Sequence, residues 1–291
     1  MAAAQLPTLD GSAPHARGVV HLGVPYAERS GRTLHLQVLW PPLEDEDSPA
    51  TFPTVVYVQG SGWREQMLGR TLLELGELAR RGYVVAVVEH RPSVVAPFPA
   101  QVQDARSAVR FLREHATTYR VDPAWMVLAG DSSGGHTAVM TMLTDGDPAY
   151  SDEPTPEPLG LRAVVDLSGP TDIAHLDPDP TSTAHTAPDS PEGLLLGGVD
   201  VRDYPDRAAA ATPMTHVRPA SEVTLPPLLI LHGDADDVVP FGHSVLLHDA
   251  LRDAGHRVTL YRLTGAGHGT GGFWAPATLD VVDAFLRTAT A

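Results

Sequence analysis

The sequence predicts an α/β domain: a mostly parallel sheet of about eight strands with helices on both faces and a small cap insertion. Three observations support this. Runs such as TVVYVQ (54–59) and YVVAVVE (83–89) are apolar without alternation, as strands buried on both faces should be. Such runs alternate with stretches of helical spacing after an opening hairpin, the order that builds a parallel sheet. Finally, 291 residues with 43% apolar and 19% charged content suffice for one sizeable core.

Residues 1–17 are small, polar and punctuated by Pro and Gly, and are expected to form a flexible tail. VVHLGVPY (19–26) and TLHLQVLW (33–40) are strands joined by RSGR, a hairpin. PPLEDEDSPATFP (41–53) is a polar loop before the strand at 54–59. LLELGELARRG (72–82) has helical spacing and a glycine stop before the strand at 83–89. In FPAQVQDARSAVRFLREHA (98–116), Val102, Ala105, Val109 and Leu112 share one face of an amphipathic helix. WMVLAG (125–130) is a strand and GGHTAVMTML (134–143) begins a helix. LRAVVDLSG (161–169), LPPLLILHG (225–233) and RVTLYRLTG (257–265) are further strands, with helices over 241–255 and 277–289. Two segments break this rhythm, 145–158 and 170–222. The second is too long for a plain connection and is read as a small cap or lid, leaving 18–291 a single domain.

Composition excludes several classes of function. The formal charge is 20 − 36 = −16, and all 20 basic residues are arginine. So acidic a chain lacks the basic face that nucleic acid or an anionic membrane requires. With no cysteine, disulfides, thiolate nucleophiles, zinc–thiolate sites and iron–sulfur clusters are ruled out. The first residues show no basic stretch followed by an apolar one, and no apolar run approaches the ~20 residues of a membrane span. A soluble, cytoplasmic protein is expected.

GDSSG (130–134) fits Gly-x-Ser-x-Gly with Ser132 at its centre, and it stands where a strand ends and a helix begins. That turn must be tight enough to thrust the serine hydroxyl above the sheet, and side chains at 130 and 134 would collide with neighbouring backbone. The Ser133 N–H, at the helix N-terminus, can face a developing oxyanion. A serine hydroxyl needs a base, and the base an orienting acid; after the next-to-last strand come Asp234, Asp236 and Asp237, and after the last comes His268. The order Ser, acid, His is met, with the three acids not separable by spacing.

From about residue 52 to 288 the chain resembles the α/β-hydrolase esterases of the hormone-sensitive-lipase-like and bacterial carbohydrate (feruloyl, acetyl) esterase-like group. The resemblance rests on QGSGW (59–63), FPAQVQDARSAVRFL (98–112), GDSSGGH (130–136), SGPTD (168–172), PPLLILHGDADDVVP (226–240) and GAGHGTGGFW (265–274). It implies the α/β-hydrolase fold and a catalytic triad of Ser132, His268 and Asp236, the last from the HGxxD pattern. It also implies an oxyanion hole from the amides of Ser61, Gly62 and Ser133, on a loop where the family carries HGGGW. Gln59 replaces the family's histidine and Ser61 the middle glycine. Ser61 as nucleophile is the rival reading, but Gln59 and Trp63 stand where its flanking glycines would have to be.

The reaction expected is two-step hydrolysis of a small-molecule carboxylic ester, short-acyl or acetyl, through an acyl-enzyme. No cofactor and no metal are called for, and activity should fall below about pH 6 as the imidazole takes a proton. An arylformamide, lactone, peptide or biosynthetic thioester is the alternative substrate, and a non-catalytic binding protein of the same fold the alternative class. Family members occur as monomers and homodimers. Trp63 and Trp274 are read as walls of a substrate pocket or as core, and Asp131 as structural. Glu89 and Arg91 are expected to pair, and the polar run TDIAHLDPDP (171–180) to be cap surface rather than a metal site.

Overall fold

A computed structural model describes residues 16–45, 48–153, 156–176 and 181–289. It opens with the hairpin β1 (Val20–Arg29) and β2 (Arg32–Leu39), turned by Ser30 and Gly31 at φ 51° and 71°. Two consecutive left-handed residues match the twist of the paired strands. β3 (Phe52–Val58), α1 (Leu72–Arg80) and β4 (Val84–Val88) follow, then α2 (Ala100–Glu114), the single turn α3 (Ala116–Tyr119) and β5 (Val121–Asp131). After α4 (Ser133–Leu143) come β6 (Ala163–Leu167), α5 (Pro191–Leu195), α6 (Pro205–Ala210), β7 (Leu228–Gly233), α7 (Gly242–Asp253), β8 (Val258–Leu263) and α8 (Pro276–Thr288).

The strands form one eight-stranded sheet in the order β1-β2-β4-β3-β5-β6-β7-β8, antiparallel at β1–β2 and β2–β4 and parallel thereafter. Unbroken apolar runs become strands covered on both sides. Val56, Val58, Leu128 and Ile230 face a cluster with α2, α4 and α7, including Val109, Val139 and Leu247. Their neighbours Val55, Tyr57, Val127 and Leu229 face α1 and α8, packing with Leu75, Leu78, Leu279 and Leu286. Each fully buried Val or Leu contributes about 1.5–3 kcal/mol. The two-sided sheet is therefore what the apolar runs stabilise.

α4 is buried along its whole length. It tolerates Thr137 and Thr141 because their hydroxyls donate to the carbonyls one turn back, at 2.8 and 2.7 Å. The described part of 170–222 forms α5, α6 and 3-10 turns at Val201–Asp203 and Pro213–His216. It has its own small cluster of Ile173, Leu195, Leu196, Val201, Ala208 and Ala211, closed by Trp63.

Two sequence expectations need revision here. Glu89 and Arg91 do not pair: β4 has ended at Val88, so the two do not share a strand face. Arg91 instead grips buried Asp104 of α2 through Nη2 at 2.8 Å, while Glu89 accepts from the His35 amide at 2.8 Å. Most of the expected N-terminal tail, 1–15, lies outside the described residues, but Arg17 bridges Leu43 through two backbone hydrogen bonds of 3.0 Å.

Candidate active site

Ser132 sits between β5 and α4 at φ 53°, ψ −125°, a conformation costly to any residue with a side chain. The packing over-determines it: the Ser132 amide donates to the Leu167 carbonyl at 2.7 Å, and the Ser132 carbonyl accepts from the His136 amide at 3.0 Å. Gly134 makes the turn possible, since a Cβ there would lie 1.9 Å from the Val58 carbonyl oxygen.

The Ser132 hydroxyl donates to His268 Nε2 at 2.8 Å, and His268 Nδ1–H donates to Asp236 Oδ2 at 2.8 Å. The carboxylate fixes the tautomer, placing the proton on Nδ1 and leaving Nε2 to accept. Of the three candidate acids, only Asp236 reaches the imidazole. Asp234 is exposed and accepts from the Gly265 amide at 2.7 Å, and Asp237 is exposed. The loops after β7 and β8 can meet because Gly233 abuts the second of them; a Cβ at 233 would come within 2.2 Å of the Ala266 oxygen.

Asp236 has further partners. Its Oδ1 accepts from the Val238 and Val239 amides, both at 2.9 Å. His232, fully buried on β7, lies 3.2 Å from Oδ2 through Nε2, which also donates to the Val239 carbonyl at 2.9 Å. Ser244 holds the other ring nitrogen at 2.6 Å. Burial works against ionisation of Asp236, but the bonds from His232, His268 and the Val239 amide outweigh it and hold the carboxyl well below the usual range. The carboxylate stays charged and its orientation is set from two sides.

The 59–63 loop crosses in front of Ser132, but not held as a histidine-to-glutamine swap suggests. The Gln59 Oε1 is buried with no partner among the described residues. Gln66 does the fastening: its Nε2 donates to the Gln59 carbonyl at 2.9 Å and the Val88 carbonyl at 3.1 Å, and its Oε1 accepts from the His90 amide at 2.8 Å. Asp131 adds a second tie, accepting from the Gly60 amide at 2.9 Å and the Tyr57 hydroxyl at 2.7 Å. Burial pushes its carboxyl up, against the pull of those two donors. Ser61 is not placed to attack anything: its hydroxyl donates to the Arg64 carbonyl at 2.8 Å.

The Ser61 amide departs from expectation as well. It donates to Ser133 Oγ at 2.9 Å, so the neighbouring side chain, and not the open cleft, accepts its hydrogen bond. Among the described residues the Gly62 and Ser133 amides have no protein acceptor.

Trp63 is 1% exposed; its indole N–H donates to His136 Nδ1 at 3.3 Å, and His136 Nε2–H donates to the Ala211 carbonyl at 2.7 Å. Both partners fix His136 as neutral, and burial lowers its pKa to about 4. Trp63 thus anchors the loop to the 170–222 segment while also lining the cleft. Trp274 lines the cleft beside Tyr57, ring centroids 6.0 Å apart. The cleft itself, about 570 Å³, opens over Ser132 and His268 and is also lined by Glu74, Leu176, His185 and Glu192. Residues 177–180 of the polar run lie outside the described residues; in the rest of it His175 meets Asp172 at 2.9 Å.

A profile of the BD-FAE family matches residues 41–251, which include Ser132 and Asp236. The chain belongs to the BD-FAE family. This BD-FAE member is 33% identical over 226 residues to an acetyl-hydrolase of Streptomyces hygroscopicus, covering 74% of this chain and 68% of that protein. It is 27% identical over 271 residues to esterase LipC of Mycobacterium tuberculosis, covering 90% and 63%. Among solved structures it superposes on a truncated carbohydrate esterase from gut microbiota with a TM-score of 0.75 at 26% identity, covering 96% and 98%. The chain spans about half to two-thirds the length of curated relatives such as LipC. That solved relative shows the open, mostly parallel sheet to be of α/β-hydrolase type.

Sequence reasoning about this BD-FAE chain missed Gln66 and gave no role to His232, the histidine of HGxxD, or to His136. Only GDSSGGH hinted at the last, and no local pattern marks Gln66. No helix among the described residues is long and apolar enough to cross a membrane.

Proposed function

We propose that the protein hydrolyses small-molecule carboxylic esters, short-acyl or acetyl, through an acyl-enzyme on Ser132. The observation that supports this most directly is the unbroken Ser132–His268–Asp236 chain, two bonds of 2.8 Å, opening on a cleft of about 570 Å³. His268 takes the hydroxyl proton as Oγ attacks the carbonyl carbon, and the negative charge moves to the carbonyl oxygen. The Gly62 and Ser133 amides receive it, aided at Ser133 by the helix N-terminus. The C–O bond then breaks, the alcohol leaves with the proton from Nε2, and water repeats the sequence on the acyl group. Asp236, held well below the usual carboxylate range, stays ionised throughout and keeps the imidazole proton on Nδ1. The acetyl-hydrolase, LipC and the gut carbohydrate esterase, each named for ester or acetyl hydrolysis, support the same reaction class.

Labelling with a fluorophosphonate followed by peptide mapping should mark Ser132, and p-nitrophenyl esters should be turned over fastest with short acyl chains. Ser132→Ala should lower kcat by at least 10⁴-fold, on the order expected for loss of a triad nucleophile. A label on Ser61, or full activity in Ser132→Ala, would overturn the assignment. Turnover of formamides or thioesters in place of every ester would move the reaction to another carbonyl, and an inert protein would make it a binding fold.

A further inference from the structure

Ser133 carries a hydroxyl whose proton meets no acceptor among the described residues. Its Oγ accepts from the Ser61 amide at 2.9 Å, and its carbonyl accepts from Thr137 Oγ1 at 2.8 Å. Among the described residues nothing receives the Ser133 O–H itself. The residue is 2% exposed, so solvent does not take that proton freely, yet it lines the cleft together with Ser61, Gly62, Ser132 and His268. A buried hydroxyl that accepts from an amide must still place its own hydrogen, and leaving it unpaired is costly. Its neighbour in sequence is Ser132, and its own amide heads α4 beneath the same cleft.

We infer that the Ser133 hydroxyl is itself an oxyanion donor, relaying the Ser61 amide to the tetrahedral intermediate. The inference rests on the ester-hydrolase reading. When Ser132 Oγ bonds to the carbonyl carbon, the carbonyl π electrons move to its oxygen. Ser133 then presents two hydrogens to that oxygen, one from its amide and one from its hydroxyl, and the Gly62 amide a third. No proton is transferred along the relay. The Ser61 N–H polarises the hydroxyl by donating to it, and donors in series strengthen one another. Ser61 therefore acts at one remove, as a positioning residue, and Ser133 is catalytic in its side chain as well as its backbone. An alanine at 133 would leave the Ser61 amide either to face the substrate or to stay orphaned, so the variant decides the matter.

The test compares wild type with Ser133→Ala and Ser133→Thr in two assays: kcat and KM on a p-nitrophenyl ester, and the second-order rate of fluorophosphonate labelling at Ser132. Loss of the hydroxyl should lower kcat about 10- to 100-fold with KM within about 2-fold, as removal of a donor felt only in the transition state does. Labelling should slow in parallel, and threonine should restore most of both rates. Alanine as fast as wild type in both assays would show that the hydroxyl merely screens Ser61, and overturns the inference. If Ser133→Ala does not fold, Ser133→Cys, with its weak S–H donor, should show the same loss. Wild type that labels at Ser132 but cleaves no ester would defeat the ester reading alone, because the labelling series still reads the Ser133 hydroxyl.

Discussion

Three hydrogen bonds from one side chain, Gln66, tie the 59–63 loop to the end of β4. Gln59, by contrast, has a buried Oε1 with no partner among the described residues. The two glutamines should therefore respond oppositely to the same change. Gln66→Leu strands two carbonyls and an amide, and should cost about 2 kcal/mol or more of stability and lower kcat by about 10-fold. Gln59→Leu removes no bond recorded for Oε1 and should leave kcat within about 3-fold. Urea unfolding and ester kinetics on the pair check this; equal losses would mean that Gln59 orders the loop. The sequence could not separate them, because the partners of Gln66, Val88 and His90, lie more than twenty positions away in the chain. Asp236 was singled out from Asp234 and Asp237 only by family resemblance, and here distance to His268 makes the choice.

At the scale of elements, the β5–α4 turn is where local sequence and tertiary demand coincide. The strand is apolar from Ala124 to Ala129, a glycine follows, and α4 begins immediately after Ser132. A Cβ at 134 would meet the Val58 carbonyl at 1.9 Å, and that atom belongs to a strand paired on both sides and unable to retreat. Gly134→Ala should destabilise by more than ~3 kcal/mol, or leave the protein insoluble, as overpacking a closed core does. Gly76, inside α1, has nothing within 4 Å of its added Cβ. Gly76→Ala should instead stabilise by about 0.5–1 kcal/mol. Soluble yield and denaturation midpoints of the two variants separate close approach from simple flexibility. The elements were readable in outline because the core runs are long and apolar. Their ends shifted by up to four residues, as at β5, which starts at Val121 and not at 125, since pairing with Phe52 extends it.

Across the whole molecule, two buried groups in the sheet and its central helix oppose one another with pH. Burial pushes the Asp166 carboxyl up to about 6 from an ordinary 3.8; its Oδ1 accepts from the Gly169 amide at 2.9 Å and its Oδ2 has no partner among the described residues. A raised carboxyl stabilises fully below about pH 3.8, and that contribution is lost as pH rises through about 6, because the unfolded chain releases the proton first. His136, lowered to about 4 from 6.5, contributes fully above 6.5 and loses its contribution as pH falls through about 4. The slopes cancel in part between pH 4 and 6.5. Asp166→Asn removes one of them, so its stability relative to wild type should rise by roughly 2–3 kcal/mol from pH 4 to pH 8. Urea midpoints at pH 4, 6 and 8 measure this, and a difference independent of pH would show that Asp166 is ionised throughout.

By itself the sequence determined the class of fold, the order of its strands and helices, and the sharp turn that carries Ser132. Each of these depends on contacts within a few residues: unbroken apolar runs, helical periodicity, and glycines on either side of a sharp turn. The tertiary structure alone decided which acid meets His268, which glutamine holds the loop, and that the Ser61 amide turns to the Ser133 hydroxyl. Those choices join residues brought together only when β3, β4, β5, β7 and β8 align their ends in one sheet, so no local pattern of side chains could record them.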